Sequence, residues 1–442
     1  MQRILNSALL KKIGEEVVIA GYVDVRRDHG KMIFLDVRDR SGKVQCVVLP
    51  NHKEAKERAV SLRPEWVVEI KGKVNERPAK LVNANEAFGT IEVEVLEIKT
   101  LGKAVELPFE KDAEVNIDTH LDNLPFTLRN PKHTAIFKVQ SVIVKAFRDF
   151  YDSEGFVEFQ APKLIGEDAE GGANSFSVEY FKHTAHLAQS PQLYKQIMVG
   201  VFERVYTVGN VYRAEKHSTT RHLNEYTSLD IEMGYIKDHT DVMAAENRFM
   251  IFLEKTLRKE CVKEFEILGA EIPKAPTEIP AISLTEAQRL LEKETGKKCL
   301  GALDLDPEDE RWLCEYSMKN FKSDYIFVTH FPTSKRPFYT YRDEKDPTFT
   351  KGFDLLFRGV EITTGAQRIH DYDALVSSMK EKNLDPGKFS YYLQAFKYGM
   401  PPHGGFGMGL ERLTAKMLNI QNVKEATLFP RDINRIDKTL AN

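Results

Sequence analysis

Five short β-branched segments crowd the first part of this chain, at residues 17–23, 33–37, 44–49, 67–74 and 91–98. Each alternates apolar and polar residues, the period of a half-buried strand. One stretch breaks the rhythm. Residues 52–62, between the third and fourth segments, are charged and alanine-bearing and read as a helix. Asp39-Arg40-Ser41-Gly42 supplies turn chemistry between the second and third segments.

Three strands, a helix and two strands is the order of a five-stranded OB barrel. Residues 1–102 are therefore expected to form an all-β OB-fold barrel. Residues 103–130 carry Pro108, Asp112, Asp118, Asp122, Asn123 and Pro125 with little periodicity, and read as a linker. Beyond it the period changes. Ile136, Val139, Ile143, Phe147 and Phe150 fall at helical spacing, with Gly155 as the stop signal. Strand-like runs follow at 157–160, 204–208 and 227–235, mixed with helices near 244–261 and 284–295. Irregular mixing favours an α+β domain with an antiparallel sheet over 131–442, rather than a doubly wound fold.

Several function classes drop out early. Lys and Arg number 63 against 66 Asp and Glu, so the whole chain is not a basic nucleic-acid binder. Cys46, Cys261, Cys299 and Cys314 form no C-x-x-C pair, which argues against a zinc knuckle or a disulfide framework. They read as small buried residues in a reducing compartment. No apolar run approaches the roughly 20 residues of a membrane span, and residues 1–16 lack the apolar core of a signal peptide. A cytoplasmic protein without a membrane partner is the expectation.

The barrel nevertheless has a local basic bias, with 12 Lys/Arg against 8 Asp/Glu in residues 1–60. Ile33, Leu35 and Val37 share one strand face, and Phe34 and Asp36 the other. Phe34 on a polar face is a candidate stacking platform for a base. Gln45, also on a polar face, could read a base edge, and Arg26, Arg27, Lys31 and Lys43 could hold phosphates. An ordinary solvated sheet face with one exposed aromatic remains the plainer reading of the same pattern.

Two segments carry the chemistry. One runs Val211-Tyr212-Arg213-Ala214-Glu215 and continues at Arg221-His222-Leu223-Asn224-Glu225-Tyr226. The other is His403-Gly404-Gly405-Phe406-Gly407-Met408-Gly409-Leu410-Glu411-Arg412. The glycines do not spell G-x-G-x-x-G, which excludes a dinucleotide fingerprint. Glycines before a helix allow close packing or close ligand approach, and Arg412 falls in that helix's first turn. Together, an R-x-E segment and a distant G-x-G-x-G-x-E-R resemble motifs 2 and 3 of the class II aminoacyl-tRNA synthetases. Gly155-Phe156-Val157-Glu158-Phe159-Gln160-Ala161-Pro162 resembles motif 1, whose proline marks the family's homodimer interface. Ala188-Gln189-Ser190-Pro191-Gln192-Leu193-Tyr194-Lys195-Gln196 and Gly365-Ala366-Gln367-Arg368-Ile369-His370-Asp371 look like the aspartyl branch, with its shorter, archaeal-type catalytic domain. The barrel looks bacterial.

This resemblance implies ATP and Mg²⁺ as cofactors and a set of roles. Arg213 would hold the α-phosphate, and Arg221, His222 and Arg412 the outer phosphates. Glu215 would accept from the adenine amino group and Tyr226, where relatives usually have Phe, would stack on it. Leu223 and Gly409 would lie beside the nucleotide. Asp354 and Glu361, bracketing a strand-like stretch at 355–360, match the Mg²⁺ carboxylates. Thr364 stands with them in place of the more usual Ser. Lys195 and Arg368 match the clamp for the amino acid's side-chain carboxylate. Asp230, Gln192 and Glu170 would hold its ammonium group, and Glu170-Gly171-Gly172-Ala173 looks like the mobile loop that closes over it.

In the family the barrel reads the anticodon, which assigns Arg26, His29, Phe34 and Gln45 to tRNA. His at position 29 accompanies relaxed bacterial enzymes that charge both tRNA-Asp and tRNA-Asn, and these need a downstream amidotransferase. The expected activity is aspartate–tRNA ligation. An asparaginyl-tRNA synthetase and a tRNA-independent aspartate–ammonia ligase are the rivals.

Overall fold

The computed structural model describes residues 2–167 and 175–440. The chain divides into two compact units, Met1–Ala113 and Glu114–Asn442.

The first unit is a closed barrel in the order β1-β2-β3-β5-β4. Its strands are β1 (Glu16–Asp28), β2 (Ile33–Asp39), β3 (Gly42–Val48), β4 (Val67–Glu76) and β5 (Ile91–Gly102), with helix α1 (Lys53–Ser61) between β3 and β4. Alternation sorts the side chains. Ile33, Leu35 and Val37 are fully buried inside the barrel, and Phe34 and Asp36 are half-exposed outside. Gly42, at φ 138°, follows the turn in which Asp39 accepts from the Ser41 backbone. The long β1 absorbs a bulge between Val23 and Val25.

The second unit starts inside the stretch read as a linker. Helices α2 (Ile117–Asp122) and α3 (Leu124–Thr127) form there, and Leu121 and Leu124 are buried. The Asn116 side chain caps α2 by accepting from Thr119 N. Helices of six and four residues are too short to print a period on the sequence. The long α4 (Pro131–Ser153) opens with Asn130 as cap and Pro131 in its first turn, and Gly155 at φ 79° follows its end.

An eight-stranded sheet carries the unit, in the order β12-β13-β14-β15-β16-β11-β10-β6. The strands are β6 (Val157–Glu158), β10 (Arg204–Tyr212), β11 (Glu225–Gly234), β12 (Ala281–Ser283), β13 (Tyr325–Thr329), β14 (Gly352–Phe357), β15 (Val360–Arg368) and β16 (His403–Gly409). The interior pairs are antiparallel, and only the two edge pairs, β12–β13 and β10–β6, run parallel. A three-stranded sheet holds β7 (Leu164–Ile165), β8 (Ser177–Tyr180) and β9 (His183–Leu187). Helices α5 (Gln192–Phe202), α6 (His239–Glu260), α7 (Val262–Leu268), α8 (Leu284–Thr295), α9 (Pro307–Phe321), α10 (Tyr372–Glu381), α11 (Ser390–Lys397) and α12 (Leu410–Met417) complete it. One apolar core joins α4, α6 and α12 to the buried side of the central strands through Val139, Phe147, Phe249, Leu253, Phe406 and Leu413.

Two segments depart from their reading in the sequence. Residues 355–360 are not one strand. Arg358 and Gly359, at φ 46° and 81°, turn the chain between β14 and β15. Both strands are buried, so the apolar run continues through the turn and hides it. The glycine-rich run His403–Gly409, which the sequence did not mark as a strand, is one. It is the strand β16, paired on both sides near the middle of the sheet.

Candidate active site

Strand β11 sets the floor of a cleft of about 460 Å³. Ser228, Asp230 and Glu232 sit at alternate positions and share a face. Directly across, β16 opposes Asp230 with Gly407 and Glu232 with Gly405. A Cβ on Gly407 would lie 2.9 Å from Asp230 Oδ1, and one on Gly405 would overlap the Glu232 carboxylate and the Ile231 carbonyl oxygen. The glycines thus make room for carboxylates, which is why a strand with so little β-propensity lies here.

Two cations descend on those carboxylates. Lys195, from α5, is 1% exposed. Its Nζ donates to Asp230 Oδ1 at 3.0 Å and to the Phe406 carbonyl at 2.9 Å, and lies 3.3 Å from Glu232 Oε2. Arg368, at the end of β15, donates through Nε to Glu232 Oε1 at 2.9 Å and through Nη2 to the Gly405 carbonyl at 2.9 Å. Its guanidinium carbon stands 5.4 Å above the Tyr339 ring. Two buried cations thus meet two buried anions, with Glu232 fully enclosed. Burial works against the Glu232 carboxylate, but Arg368 and Lys195 hold its pKa below the ordinary value.

Gln192 also faces the cleft, and its amide donates to Gln196 Oε1 at 3.0 Å. Gln196 in turn lies 2.9 Å from His403 Nε2, while His403 Nδ1 lies 2.8 Å from the Pro401 carbonyl. That carbonyl assigns the proton to Nδ1, so Nε2 accepts from Gln196. Burial pushes the His403 pKa down to about 4, which keeps this ring neutral beside Glu232 and Arg368.

The other end of the cleft is cationic. Arg213, just past β10, places its guanidinium carbon 5.5 Å from the centre of the Tyr226 ring, and Glu215 follows it. Arg412, in the first turn of α12, donates through Nη1 to the Glu361 carbonyl at 3.0 Å and through Nε to the Arg221 carbonyl at 3.3 Å. Arg221 pairs with Glu310 of α9, whose carboxylate also accepts from Glu361 N at 3.1 Å. His222 is held below its usual pKa by burial, then by Arg412. Leu223 and Gly409 line the same wall.

The β14–β15 hairpin presents the acidic pair. Asp354 faces Thr364 across the two strands. Its Oδ2 accepts from Arg336 Nη2 at 2.6 Å, and its buried Oδ1 has no hydrogen-bond partner among the described residues. Glu361 Oε1 accepts from the Thr364 hydroxyl at 3.1 Å. Burial raises the Asp354 pKa, against the pull of Arg336, and Glu361 pushes it further up. Among the described residues no group of three or more His, Cys, Asp or Glu converges as a closed metal cage. Two carboxylates and a hydroxyl, one carboxylate oxygen unsatisfied, are nonetheless a hard-oxygen donor set. It suits a small divalent cation that takes its remaining ligands from phosphates and water.

Glu170 lies outside the described residues. The cleft also holds side chains the motifs did not single out. Arg336 and Tyr339 come from the loop before β14, and Glu232 lies under the floor. The alternation Ser228-Leu229-Asp230-Ile231-Glu232 carried a signal for Glu232, because a strand that points three polar side chains to one face is lining something.

On the barrel, β1 pairs Arg27 with Phe34, and β3 pairs Gln45 with Asp36. Arg27 forks onto Asp36 with two contacts of 2.8 Å, and Gln45 donates to Glu92 at 3.1 Å. His29 is exposed, and its ring meets the Phe34 ring edge-on at 5.4 Å. Arg26 does not share that face. Its guanidinium donates to the Ala59 carbonyl of α1 and to Asp28.

Comparison with known proteins agrees with this architecture. Residues 116–433 match the family model described as class II tRNA synthetases (D, K and N), and residues 17–101 match an OB-fold nucleic-acid-binding domain. An aspartate–tRNA(Asp/Asn) ligase of Deinococcus radiodurans is 46% identical over 99% of both chains. An aspartate–tRNA(Asp) ligase of Thermococcus kodakarensis is 42% identical over 96% of both. The crystal structure of asparaginyl-tRNA synthetase from Pyrococcus horikoshii, complexed with asparaginyl-adenylate, superposes with a TM-score of 0.91 at 31% identity, covering 99% of both chains. Enzymes of this class use ATP and a divalent metal ion. The barrel, the glycine strand and the cleft they accompany are those of a class II aminoacyl-tRNA synthetase of the D, K and N group, and this chain belongs to that family.

Proposed function

We propose that the chain activates aspartate with Mg-ATP and transfers it to tRNA-Asp and tRNA-Asn. The observation that carries the choice of amino acid is the pair Lys195 and Arg368 at one end of the cleft. Both are donors without acceptors. A side-chain carboxylate offers both cations a further acceptor, whereas the amide of asparagine turns a donor toward them. Asp230 and Gln192, with Glu170, hold the ammonium group.

Activation needs no protein nucleophile. An oxygen of the aspartate α-carboxylate attacks the α-phosphorus, the bond to the bridging oxygen breaks, and pyrophosphate leaves with the electron pair. The chain's work is to place the two anions in line and offset their charge. Arg213 takes the α-phosphate, and Arg221, His222 and Arg412 take the outer phosphates. Tyr226 stacks on the adenine ring, Glu215 accepts from its amino group, and Leu223 and Gly409 border it. Asp354, Glu361 and Thr364 would hold Mg²⁺, which would supply charge neutralisation at the phosphate oxygens. A terminal hydroxyl of the tRNA then attacks the acyl carbon and releases AMP.

For the tRNA, Phe34 stacks on an anticodon base, Gln45 reads an edge, and His29 meets the third base, while Arg26, held by Ala59 and Asp28, steadies the end of β1. His29 supports relaxed charging, which calls for an amidotransferase downstream. We further propose a homodimer through the 155–162 segment, working in the cytoplasm. No described helix is long and apolar enough to cross a membrane.

The test is charging of two purified transcripts, tRNA-Asp and tRNA-Asn, with aspartate and Mg-ATP. Charging of both is expected. Charging of tRNA-Asp alone removes the His29 argument and leaves the enzyme class. Pyrophosphate exchange driven by asparagine replaces the reading with an asparaginyl enzyme. Ammonia-dependent asparagine formation without tRNA replaces it with an aspartate–ammonia ligase.

A further inference from the structure

One side chain in the cleft has no part in the reaction described above. Arg336 reaches in from the loop between β13 and β14. Its Nη2 holds Asp354 Oδ2 at 2.6 Å, and its guanidinium carbon stands 3.8 Å from the centre of the Phe331 ring. The side chain is only 11% exposed, and its Nε is buried without a hydrogen-bond partner among the described residues. An ion pair on one edge and a π face beneath fix the plane, yet a donor is left unused at a cost. Among the described residues Arg336 is the only cation in ion-pair range of Asp354, since neighbouring Lys335 pairs with Asp304 at 2.9 Å. Asp354 Oδ1, by contrast, has no hydrogen-bond partner among the described residues.

A buried arginine on one oxygen of a carboxylate, with the other oxygen unpaired, has the arrangement of a stand-in charge. We propose that Arg336 is a positioning residue. It occupies Asp354 in the nucleotide-free enzyme and excludes a bare divalent cation. It then moves to the nucleotide phosphates when cation and ATP enter together. The inference rests on the reading of Asp354 and Glu361 as cation carboxylates. Its physical basis is charge. A guanidinium and a divalent ion on one carboxylate repel, and nucleotide phosphates are the anions that can take the guanidinium away. The exchange breaks and forms no covalent bond.

The test is Mn²⁺ binding to the full-length chain, followed by electron paramagnetic resonance with and without a non-hydrolysable ATP analogue. Without nucleotide, Arg336→Gln is expected to bind Mn²⁺ at least about tenfold more tightly than the native chain. Arg336→Lys, which keeps the charge, is expected to stay within about threefold of native. With the analogue present, the gain in Mn²⁺ affinity disappears and Arg336→Gln binds the analogue more weakly. A folded Arg336→Gln chain with native Mn²⁺ affinity in the absence of nucleotide overturns the inference. A crystal structure of the native chain with Mn²⁺ and the analogue tests it without a variant. The guanidinium is expected on a phosphate oxygen. Metal on Asp354 and Glu361 with the Arg336–Asp354 pair intact overturns the inference alone. Metal bound elsewhere overturns the cation-site reading beneath it.

Discussion

Lys195 is a fully enclosed ammonium group with three acceptors around it, from Asp230, Glu232 and the Phe406 carbonyl. Removing it leaves two buried carboxylates with one guanidinium between them, the situation in which a broken buried pair costs most. Lys195→Ala is expected to lower kcat/KM for aspartate in pyrophosphate exchange by about a hundredfold or more, with ATP affinity changed less than about threefold. An unchanged aspartate KM and kcat would remove Lys195 from the clamp. At this scale the sequence was informative where a residue belonged to a motif. Where a residue acts through another, it showed the face but not the partner. Arg213 and Arg412 stand in recognisable strings, but the Glu232 carboxylate forms its ion pairs among the described residues with Lys195 and Arg368, and no spacing in the chain reports a partner 136 residues away.

The elements show why some stretches were legible and others were not. Helix α8 begins and ends where its signals stand, with a reciprocal Ser283–Glu286 cap and Gly296 at φ 75°. The β14–β15 hairpin was hidden because burial on both faces erases alternation, so two strands and a two-residue turn read as one run. Strand β16 was hidden because its residues are chosen for what lies opposite rather than for strand propensity. That choice can be tested. Gly405→Ala is expected to cost more than about 3 kcal/mol or to prevent folding, because its Cβ overlaps a carbonyl and the Glu232 carboxylate. Gly409→Ala, whose Cβ finds nothing nearer than 3.8 Å, is expected to cost under about 1 kcal/mol in thermal unfolding.

Helix α6 offers a second test. Glu246 is fully buried on it, and burial pushes its pKa up to about 8, with Thr363 pulling down and Asp354 pushing up. Between the ordinary carboxylate value and about pH 8 the folded chain keeps this proton and the unfolded chain has lost it. Its contribution to stability therefore falls as pH rises through that window. Glu246→Gln removes the titration. The melting temperature of the variant is expected to gain on the native chain from pH 5 to pH 9, and parallel curves would contradict the buried acid.

At the scale of the whole molecule the chain separates two tasks into two folded units, Met1–Ala113 and Glu114–Asn442, each with its own core. The proposed base-stacking ring, Phe34, stands outside the barrel core, so its removal leaves that core whole. Phe34→Ala is expected to weaken tRNA charging by about five- to a hundredfold, the worth of one stacked base, with pyrophosphate exchange unchanged. Loss of both activities would tie the ring to folding instead. The period changes near residue 131, whereas the second unit already begins at Glu114. The short helices α2 and α3 did not show, since six and four residues cannot complete a pattern.

Strand β16 also limits how this chain can vary over time. Every single-nucleotide change of a glycine codon that alters the residue adds at least a Cβ. At Gly404 that atom meets the Ala366 carbonyl at 2.7 Å, and at Gly405 and Gly407 it meets the carboxylates of the clamp. The codons of Gly405 and Gly407 have no harmless neighbour while the opposing acids remain. Drift at the floor of the cleft would have to begin on β11, with Asp230 or Glu232, whose cations then lose their partners. The glycines and the acids can therefore leave only together, so the floor is far less free to change by single steps than the loops above it.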